Sequence, residues 1–296
     1  MSATLKKVRR PRHKIQGGSA GREPANPSRR HPFLLGHWSL VIGLLLFSAP
    51  FLSAADAAVP APPQAAAGAE SNRVQRAYIE AKEAFTRDAT NSETAWHFAH
   101  ACFKRADFTT TDAQRAAFAE QGIAASRRAI ELSSNSAAAY FYLGANLGQL
   151  ARTKLFTALG LLDEMEAAWE KSIALDAKFN HASADRSLGL LYLDAPGWPL
   201  SLGSRSKARI HLKKAAERVP EYPENLLCWL EVQVRWGQTK AVKTQLAAVE
   251  ARLQSARTNF TGETWAPDWE DWEARWKKIK AKADGNAKDR SPHGAK

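Results

Sequence analysis

The stretch that decides the fold is residues 183–220, SADRSLGLLYLDAPGWPLSLGSRSKARIHLKKAAERVP. Small and large apolar residues recur in it at helical spacing: Leu188, Gly189 and Tyr192 in the first part, and Ala208, Leu212 and Ala215 in the second. A segment rich in proline and glycine interrupts the two parts, and Pro220 closes the second. The stretch therefore predicts two helices joined by a loop.

The same pattern recurs along the chain. Three segments end alike: RAIELSS at 128–134, KSIALDA at 171–177 and KAAERVP at 214–220. The dipeptide Leu143-Gly144 returns 45 residues later as Leu188-Gly189. Recurrence at a fixed period is typical of arrays of one supersecondary unit. This recurrence therefore predicts four successive helix pairs, over residues 93–132, 136–177, 183–220 and 225–254.

These units resemble the tetratricopeptide repeat (TPR). That family places a Trp or Tyr, then Leu-Gly, then an aromatic residue on the first helix, and small residues with a closing proline on the second. Residues 183–220 match best, and the other three units keep part of the pattern. The first unit keeps Trp96, Phe103, Gly122 and Ala129, and the second keeps Tyr140, Leu143, Gly144, Trp169, Ser172 and Ala177. The fourth unit keeps Gly237, Leu246 and Val249.

The resemblance implies an all-α fold: a right-handed superhelical solenoid of about four degenerate helix pairs. Glycine or alanine at fixed positions along the helix axis lets the two helices of a pair approach closely. Stacking successive pairs buries the apolar face that a single pair leaves exposed. The period of 41 to 45 residues departs from the usual value of about 34. HEAT-type helix pairs, whose repeats have this greater length, are the alternative architecture.

The additional residues lie between the two helices of a unit. In the first unit they span 104–116, where Thr109–Asp112 forms an expected N-cap cluster. In the third they span 193–204 and include Trp198 between Gly197 and Pro199. This tryptophan has two interpretations: it anchors a ligand from a stiff loop, or it fills a gap between units.

Capping helices are expected at both ends of the array. Val74, Tyr78, Ala81 and Phe85 stand at helical spacing before the first unit. After the last unit, four tryptophans share one helical stripe, with Pro267 suited to the first turn: Trp265, Trp269, Trp272 and Trp276. The stripe is interpreted as buried against the last repeat, with a partner-docking face as the alternative.

Residues 1–57 combine a basic segment, an apolar run from Phe33 to Phe47 and small residues near 53–58. They are predicted to be a secretory signal cleaved near 55–57, or an uncleaved membrane anchor. Residues 58–70 are expected to be a Pro/Ala-rich linker, 71–283 the repeat domain and 284–296 a disordered basic tail. The expected location is periplasmic or otherwise extracytoplasmic, with an anchor in the inner membrane as the alternative.

The net charge of +12 lies at the two ends of the chain. Residues 1–57 carry +7 and the last twenty residues carry +5, so that residues 58–276 are close to neutral. Nucleic-acid binding leaves a basic stripe on a folded face. The charge distribution therefore argues against a nucleic-acid partner.

The sequence shows no catalytic constellation. It has no phosphate-binding GxxxxGK[ST] loop, no GxSxG elbow and no HExxH pair. Cys102 and Cys228 each lie in an apolar helical pattern and are interpreted as buried thiols. We therefore expect a protein that is not an enzyme and has no catalytic residues, cofactor or metal site.

A solenoid of helix pairs binds partners along its first helices. The repeat register places His97, Phe141, Arg186 and Leu227 on that surface, and Trp198 is added from the insert. The mixed lining predicts a protein or peptide partner and the function of an exported scaffold. Repeat length and export also resemble the T-component of TRAP transporter systems. This resemblance implies, as an alternative function, a ligand-binding component associated with a solute transport system, with a periplasmic solute-binding protein as partner. A membrane-anchored envelope assembly factor is a further alternative.

Overall fold

A computed structural model of the protein describes residues 64–154 and 158–285. Within these residues it has ten helices and no β-strand. The helices are α1 (Gln64–Arg87), α2 (Ser92–Asp107), α3 (Asp112–Leu132), α4 (Ala137–Ala151), α5 (Leu159–Leu175), α6 (Phe179–Asp194), α7 (Arg205–Arg218), α8 (Pro223–Arg235), α9 (Thr239–Ala256) and α10 (Ala266–Ala283). The all-α prediction is confirmed for this part of the chain.

Polar side chains fix several helix starts. Asn91, Thr111, Ser136 and Ser204 each accept a hydrogen bond from a backbone N–H in the first turn of the following helix. These bonds satisfy donors that have no partner within the helix. The expected capping role of the 109–112 cluster is confirmed, and Thr111 is the residue that performs it.

Helix α1 begins at Gln64, inside the segment expected to be a linker. The linker prediction is therefore wrong for residues 64–70, which are helical. Pro60, Pro62 and Pro63 all precede the helix, and the residues that follow them are mainly alanine, the best helix former. The predicted signal or anchor, residues 1–57, and residues 286–296 of the predicted tail lie outside the described residues. Among the described helices, none is long and apolar enough to cross a bilayer.

Each helix packs against the next one along the chain. In addition, α2 packs against α4, α4 against α6, and α8 against α10. Helix α4 is consequently surrounded on almost every side, and twelve of its fifteen residues are buried.

Two glycines of the repeat pattern, Gly144 and Gly189, lie where a side chain from the next helix comes very close. A Cβ atom added to Gly144 would lie 2.5 Å from Nε1 of Trp169, and one added to Gly189 would lie 2.5 Å from Cγ of Leu212. Real Cβ atoms do not approach other atoms this closely, so each position requires glycine. Trp169 is held in place because its Nε1–H donates to the Phe141 carbonyl at 3.2 Å.

The buried apolar residues form two main clusters. The first extends from α1 to the start of α7 and includes Trp169 and Leu188. The second joins α8, α9 and α10 to the end of α7 and includes Leu227 and Trp272. Polar contacts between α6, α7 and α8 lie at the junction of the two clusters, as described below.

Helix α10 is fixed to α8 by the second cluster and by a buried arginine. Trp272 and Trp276 are buried, and Trp265 and Trp269 are partly buried against the same cluster. The structure therefore agrees with the interpretation that the tryptophan stripe packs against the last helices of the array. The guanidinium of Arg275 donates to Glu224 at 2.7 Å and to Glu231 at 2.8 Å.

The Arg275 contact also determines how Glu224 ionises. Burial by itself raises the pKa of this carboxyl group, but Arg275 outweighs burial and lowers the pKa to about 2. Trp272 donates its indole N–H to the same carboxylate at 3.0 Å. The clamp between α8 and α10 therefore keeps its charge at neutral pH.

We predict that Gly144→Ala destabilises the protein by about 1–3 kcal/mol, because the added methyl group must displace the Trp169 ring from a packed site. The matched control is Gly160→Ala in the first turn of α5, where an added Cβ meets no atom within 4 Å. We expect this control to be neutral or to stabilise the protein by up to about 1 kcal/mol. Urea unfolding followed by circular dichroism measures both, and equal effects would contradict the close approach at Gly144.

Candidate functional site

The insert between α6 and α7, residues 195–204, forms a closed loop that we call the insert loop. The backbone N–H of Gly203 donates to the Pro196 carbonyl at 2.9 Å, and that of Ser204 donates to the Tyr192 carbonyl at 2.8 Å. At the tip, the N–H of Leu200 donates to the Gly197 carbonyl at 3.1 Å. Backbone bonds therefore fix both the base and the tip of the loop.

Glycine at position 203 allows the loop to close. A Cβ atom there would lie 2.1 Å from the Ala195 carbonyl oxygen and 2.6 Å from that of Pro196. These are backbone atoms, which cannot turn aside as a flexible side chain can. By contrast, a Cβ atom at Gly197 would come no closer than 3.8 Å to any atom. The shape of the loop therefore depends on one of its two glycines.

The insert loop exposes two large apolar side chains. Trp198 is 88% exposed and Leu200 is 53% exposed. A side chain that fills a gap between repeat units is buried, so this interpretation of Trp198 is wrong. The binding role of Trp198 stays a prediction, now with the geometry that it requires: an accessible aromatic ring on an ordered loop.

Helix α7, which follows the loop, is strongly basic. It has six Lys or Arg residues and one acidic residue, Glu217. Arg205, Lys207 and Arg209 lie among its first five residues, next to the partial positive charge of the helix N-terminus. This placement works against helix stability. It indicates that the charges serve a purpose other than stabilising α7.

A buried carboxylate fixes α7 to α6. Asp185 on α6 is fully buried, and its two oxygens accept from His211 Nδ1 at 2.9 Å and from the guanidinium of Arg218. Burial lowers the pKa of His211, and nearby Lys214 lowers it further. His211 is therefore neutral at pH 7, with its Nδ1–H directed at Asp185, and Arg218 supplies the charge that offsets the carboxylate.

A second polar contact joins α5, α6 and α7. The hydroxyl group of Tyr192 on α6 donates to the Glu166 carboxylate on α5, and Lys207 Nζ on α7 lies 3.0 Å from the same carboxylate. Together with the Asp185 contacts, this one holds both ends of α7 in place. The basic helix is thus presented in a fixed orientation.

The start of α6 has an unusual backbone. Asn180, His181 and Ala182 have φ angles of 47°, 59° and 56°, in the left-handed region that residues other than glycine rarely adopt. Asn225 of α8 stabilises this turn, because its side-chain N–H donates to the His181 carbonyl at 3.0 Å. Arg186 donates to the Asn225 side-chain oxygen, which ties the turn to α8.

The structure gives different surroundings to the residues that the repeat register placed on one surface. His97 is exposed and stacks on Trp96, with ring centroids 3.6 Å apart. Phe141 is 5% exposed and Leu227 is fully buried, so neither is available to a partner and both placements are wrong. Arg186 is half-buried and occupied by Asn225 and by Ser183 at 2.9 Å.

Packing explains these two corrections. The register argument assumes that one side of each first helix faces an open groove. Phe141 instead packs against Phe179 of α6, with ring centroids 5.7 Å apart, because α6 lies directly against α4. Leu227 lies in the cluster that α10 completes. The residue spacing within one repeat unit cannot show that α6 covers Phe141 or that α10 covers Leu227.

The polar contacts of α6, α7 and α8 had no signal in the sequence. Asp185 lies on α6, His211 and Arg218 lie on α7 and Asn225 lies on α8, and no motif spacing relates the three helices. Among the described residues, no group of three or more His, Cys, Asp or Glu side chains could hold a metal ion. Cys102 and Cys228 are free and buried.

The chain matches no protein-family model, and no curated protein matches its sequence. The TPR resemblance therefore depends on the residue pattern alone.

We predict that Trp198→Ala changes the free energy of unfolding by less than about 0.5 kcal/mol, since the exposed ring contributes little to packing. Gly203→Ala forces the base of the loop apart and costs about 1–3 kcal/mol. Gly197→Ala is the matched control and is expected to be close to neutral. Urea unfolding of the three variants measures these values, and a large loss in Trp198→Ala would mean that the ring is packed.

We predict that His181 makes stability depend on pH. Burial disfavours its charged form and nearby Arg186 adds to this, so the pKa of His181 is lowered to about 4. The unfolded chain, with an ordinary pKa of about 6.5, binds the proton first. The contribution of His181 is therefore complete above pH 6.5 and is lost as the pH falls from 6.5 to 4.

The variant His181→Phe keeps an aromatic ring against Tyr222, which stacks on His181 with centroids 4.3 Å apart, and cannot bind a proton. Its unfolding free energy should fall less steeply between pH 6.5 and 4 than that of the wild-type chain. The difference in slope is at most about 1.4 kcal/mol per pH unit, the value for one proton. Identical slopes would show that His181 is not buried as described.

Proposed function

We propose that the protein is an extracytoplasmic scaffold of TPR-like helix pairs that binds a protein or peptide partner and performs no catalysis. Four pairs make up the array in this proposal: α2 with α3, α4 with α5, α6 with α7, and α8 with α9. Helices α1 and α10 cover its two ends. The leader predicted for residues 1–57 supports the extracytoplasmic location.

The observation that carries the proposal is a contact that recurs within the pairs. Gly144 faces Trp169 in the second pair, and Gly189 faces Leu212 in the third, at equivalent heights in the repeat register. The close approach is 2.5 Å in both cases. Recurrence of one internal contact is what an array of a single supersecondary unit requires.

A serine hydrogen bond that recurs in two pairs also supports their equivalence as repeat units. In the first pair, Ser92 Oγ at the start of α2 donates to the Ala129 carbonyl near the end of α3, at 3.0 Å. In the second pair, Ser172 Oγ near the end of α5 donates to the Ala137 carbonyl at the start of α4, at 2.9 Å. The start of the first helix is thus tied to the end of the second in both pairs. Contacts of α2 with α4 and of α4 with α6 support stacking of successive first helices.

The binding surface in this proposal lies along the accessible parts of α2 and α4. His97 is exposed, Trp96 beside it is half-buried, and Tyr140 on α4 is half-buried. Aromatic side chains with polar atoms are enriched at protein interfaces, because they combine a large contact area with hydrogen bonding. These residues replace Phe141 and Leu227 as the groups that a partner touches.

Site-specific photo-crosslinking tests the scaffold function. A benzoylphenylalanine at position 97 or 140 of the full chain should form an adduct with one partner in the cell envelope. The same probe at Glu120 or Lys171, which are exposed on the second helices α3 and α5, should form none. We expect the adducts at 97 and 140 to contain the same protein. Adducts of equal yield at all four positions, or at none, would overturn the proposal.

A further inference from the structure

Exposed apolar side chains are concentrated in one short stretch of the chain. Four large apolar side chains are strongly exposed among the described residues: Ile79, Trp198, Leu200 and Ile210. Three of them lie within thirteen residues, two on the insert loop and Ile210 on α7 with 49% exposure. Scattered exposed apolar residues are normal, but a group of this kind marks a contact surface.

Basic side chains surround Ile210 on α7. Lys207 precedes it by three positions, and Lys213 and Lys214 follow it by three and four, so all three are its neighbours on the helix surface. All three lysines are exposed, as is Arg205 in the first turn. Because residues 58–276 as a whole are close to neutral, α7 with its excess of five positive charges is a local departure from the rest of the fold.

From these observations we propose that the insert loop and the exposed face of α7 form a docking surface for an anionic lipid bilayer. Trp198 and Leu200 enter the interfacial layer, and Arg205, Lys213 and Lys214 contact the negative headgroups, while Lys207 stays paired with Glu166. Tryptophan prefers this layer because its ring is apolar and its N–H is polar. Basic residues near an anionic surface each add to the attraction, and apolar insertion supplies the rest.

The shape of the surface favours a bilayer over an acidic peptide. Peptides bind in grooves or along sheet edges, where they bury their own side chains. The insert loop instead exposes its apolar side chains at a tip held by backbone hydrogen bonds. An ordered apolar tip beside a basic helix fits the surface of an anionic bilayer, because lipids can rearrange around the inserted side chains.

This inference goes beyond the scaffold function and does not depend on it. The partner surface proposed above lies on α2 and α4, whereas the bilayer surface lies on the insert loop and α7. A chain that uses both would present its partner at the membrane, whether or not the leader is cleaved. Each surface can therefore fail its own test without affecting the other.

A fluorescent probe on the insert loop tests the inference. The variant Leu200→Cys keeps Trp198 and accepts the environment-sensitive dye NBD. Cys102 and Cys228 are buried, and burial raises the pKa of both thiols, that of Cys102 to about 12, so that neither competes for the dye at neutral pH. The full chain is mixed with vesicles of phosphatidylcholine alone or with phosphatidylglycerol added.

We expect blue-shifted, brighter emission with the phosphatidylglycerol vesicles, and loss of the change in 0.5 M NaCl or without the anionic lipid. The same dye at Ser134→Cys, exposed in the turn between α3 and α4, should not respond. Because the readout is local, attachment through residues 1–57 cannot produce it. No response at position 200, or an equal response at 134, would overturn the proposal.

Charge variants of the labelled protein separate the two contributions. Lys213→Gln with Lys214→Gln should weaken vesicle binding about twenty-five-fold, since each basic residue near an anionic surface contributes roughly five-fold. The matched pair Lys82→Gln with Lys171→Gln removes the same charge from exposed sites on α1 and α5 and should have no effect. Trp198→Ala should weaken binding about ten-fold or more.

Equal effects of the two charge pairs would overturn the proposal, because the attraction would then follow net charge alone. If the probe at position 200 responds to a poly-glutamate peptide and not to the vesicles, an acidic protein partner replaces the bilayer as the occupant, and the proposal is also overturned.

Discussion

The structure depends on how closely consecutive helices can approach. At Gly144 and Gly189 the absence of a side chain lets Trp169 and Leu212 occupy space that a methyl group would fill. This approach places the two helices of a pair in direct contact, and it leaves α4 almost fully buried. The largest buried side chains, including Trp169 and Tyr192, lie in the core that results.

Buried polar side chains connect helices α6, α7, α8 and α10 to one another. The carboxylate of Asp185 joins α6 to α7, Asn225 joins α8 to the left-handed turn at residues 180–182, and Arg275 joins α10 to α8. Buried charges are costly unless each is paired, and here each carboxylate has a cationic or hydrogen-bonding partner from another helix. Such contacts are directional, so they fix the relative orientation of helices where the two apolar clusters meet.

Two accessible surfaces result from this arrangement. Tyr140 on α4 and Trp96 on α2 remain partly exposed, whereas Leu227 on α8 is buried in the cluster that α10 completes. The insert loop remains outside the core because Gly203 closes its base within a few residues and leaves the tip exposed. Binding is therefore proposed on the first helices, and lipid contact on the loop and the basic helix that follows it.

The sequence by itself determined the helical class, the capping role of the 109–112 cluster and the close approach of helices at small residues such as Gly144 and Gly189. These features depend on residues close together in the chain, where periodicity and spacing contain the information. Only the tertiary structure decided which faces are covered. Phe141 and Leu227 fit the repeat register, yet α6 and α10 bury them, and Asp185 finds His211 and Arg218 through packing that no local spacing records. Exposure of Trp198 was likewise undetermined in the sequence, because it depends on how a ten-residue loop closes against the helices beside it.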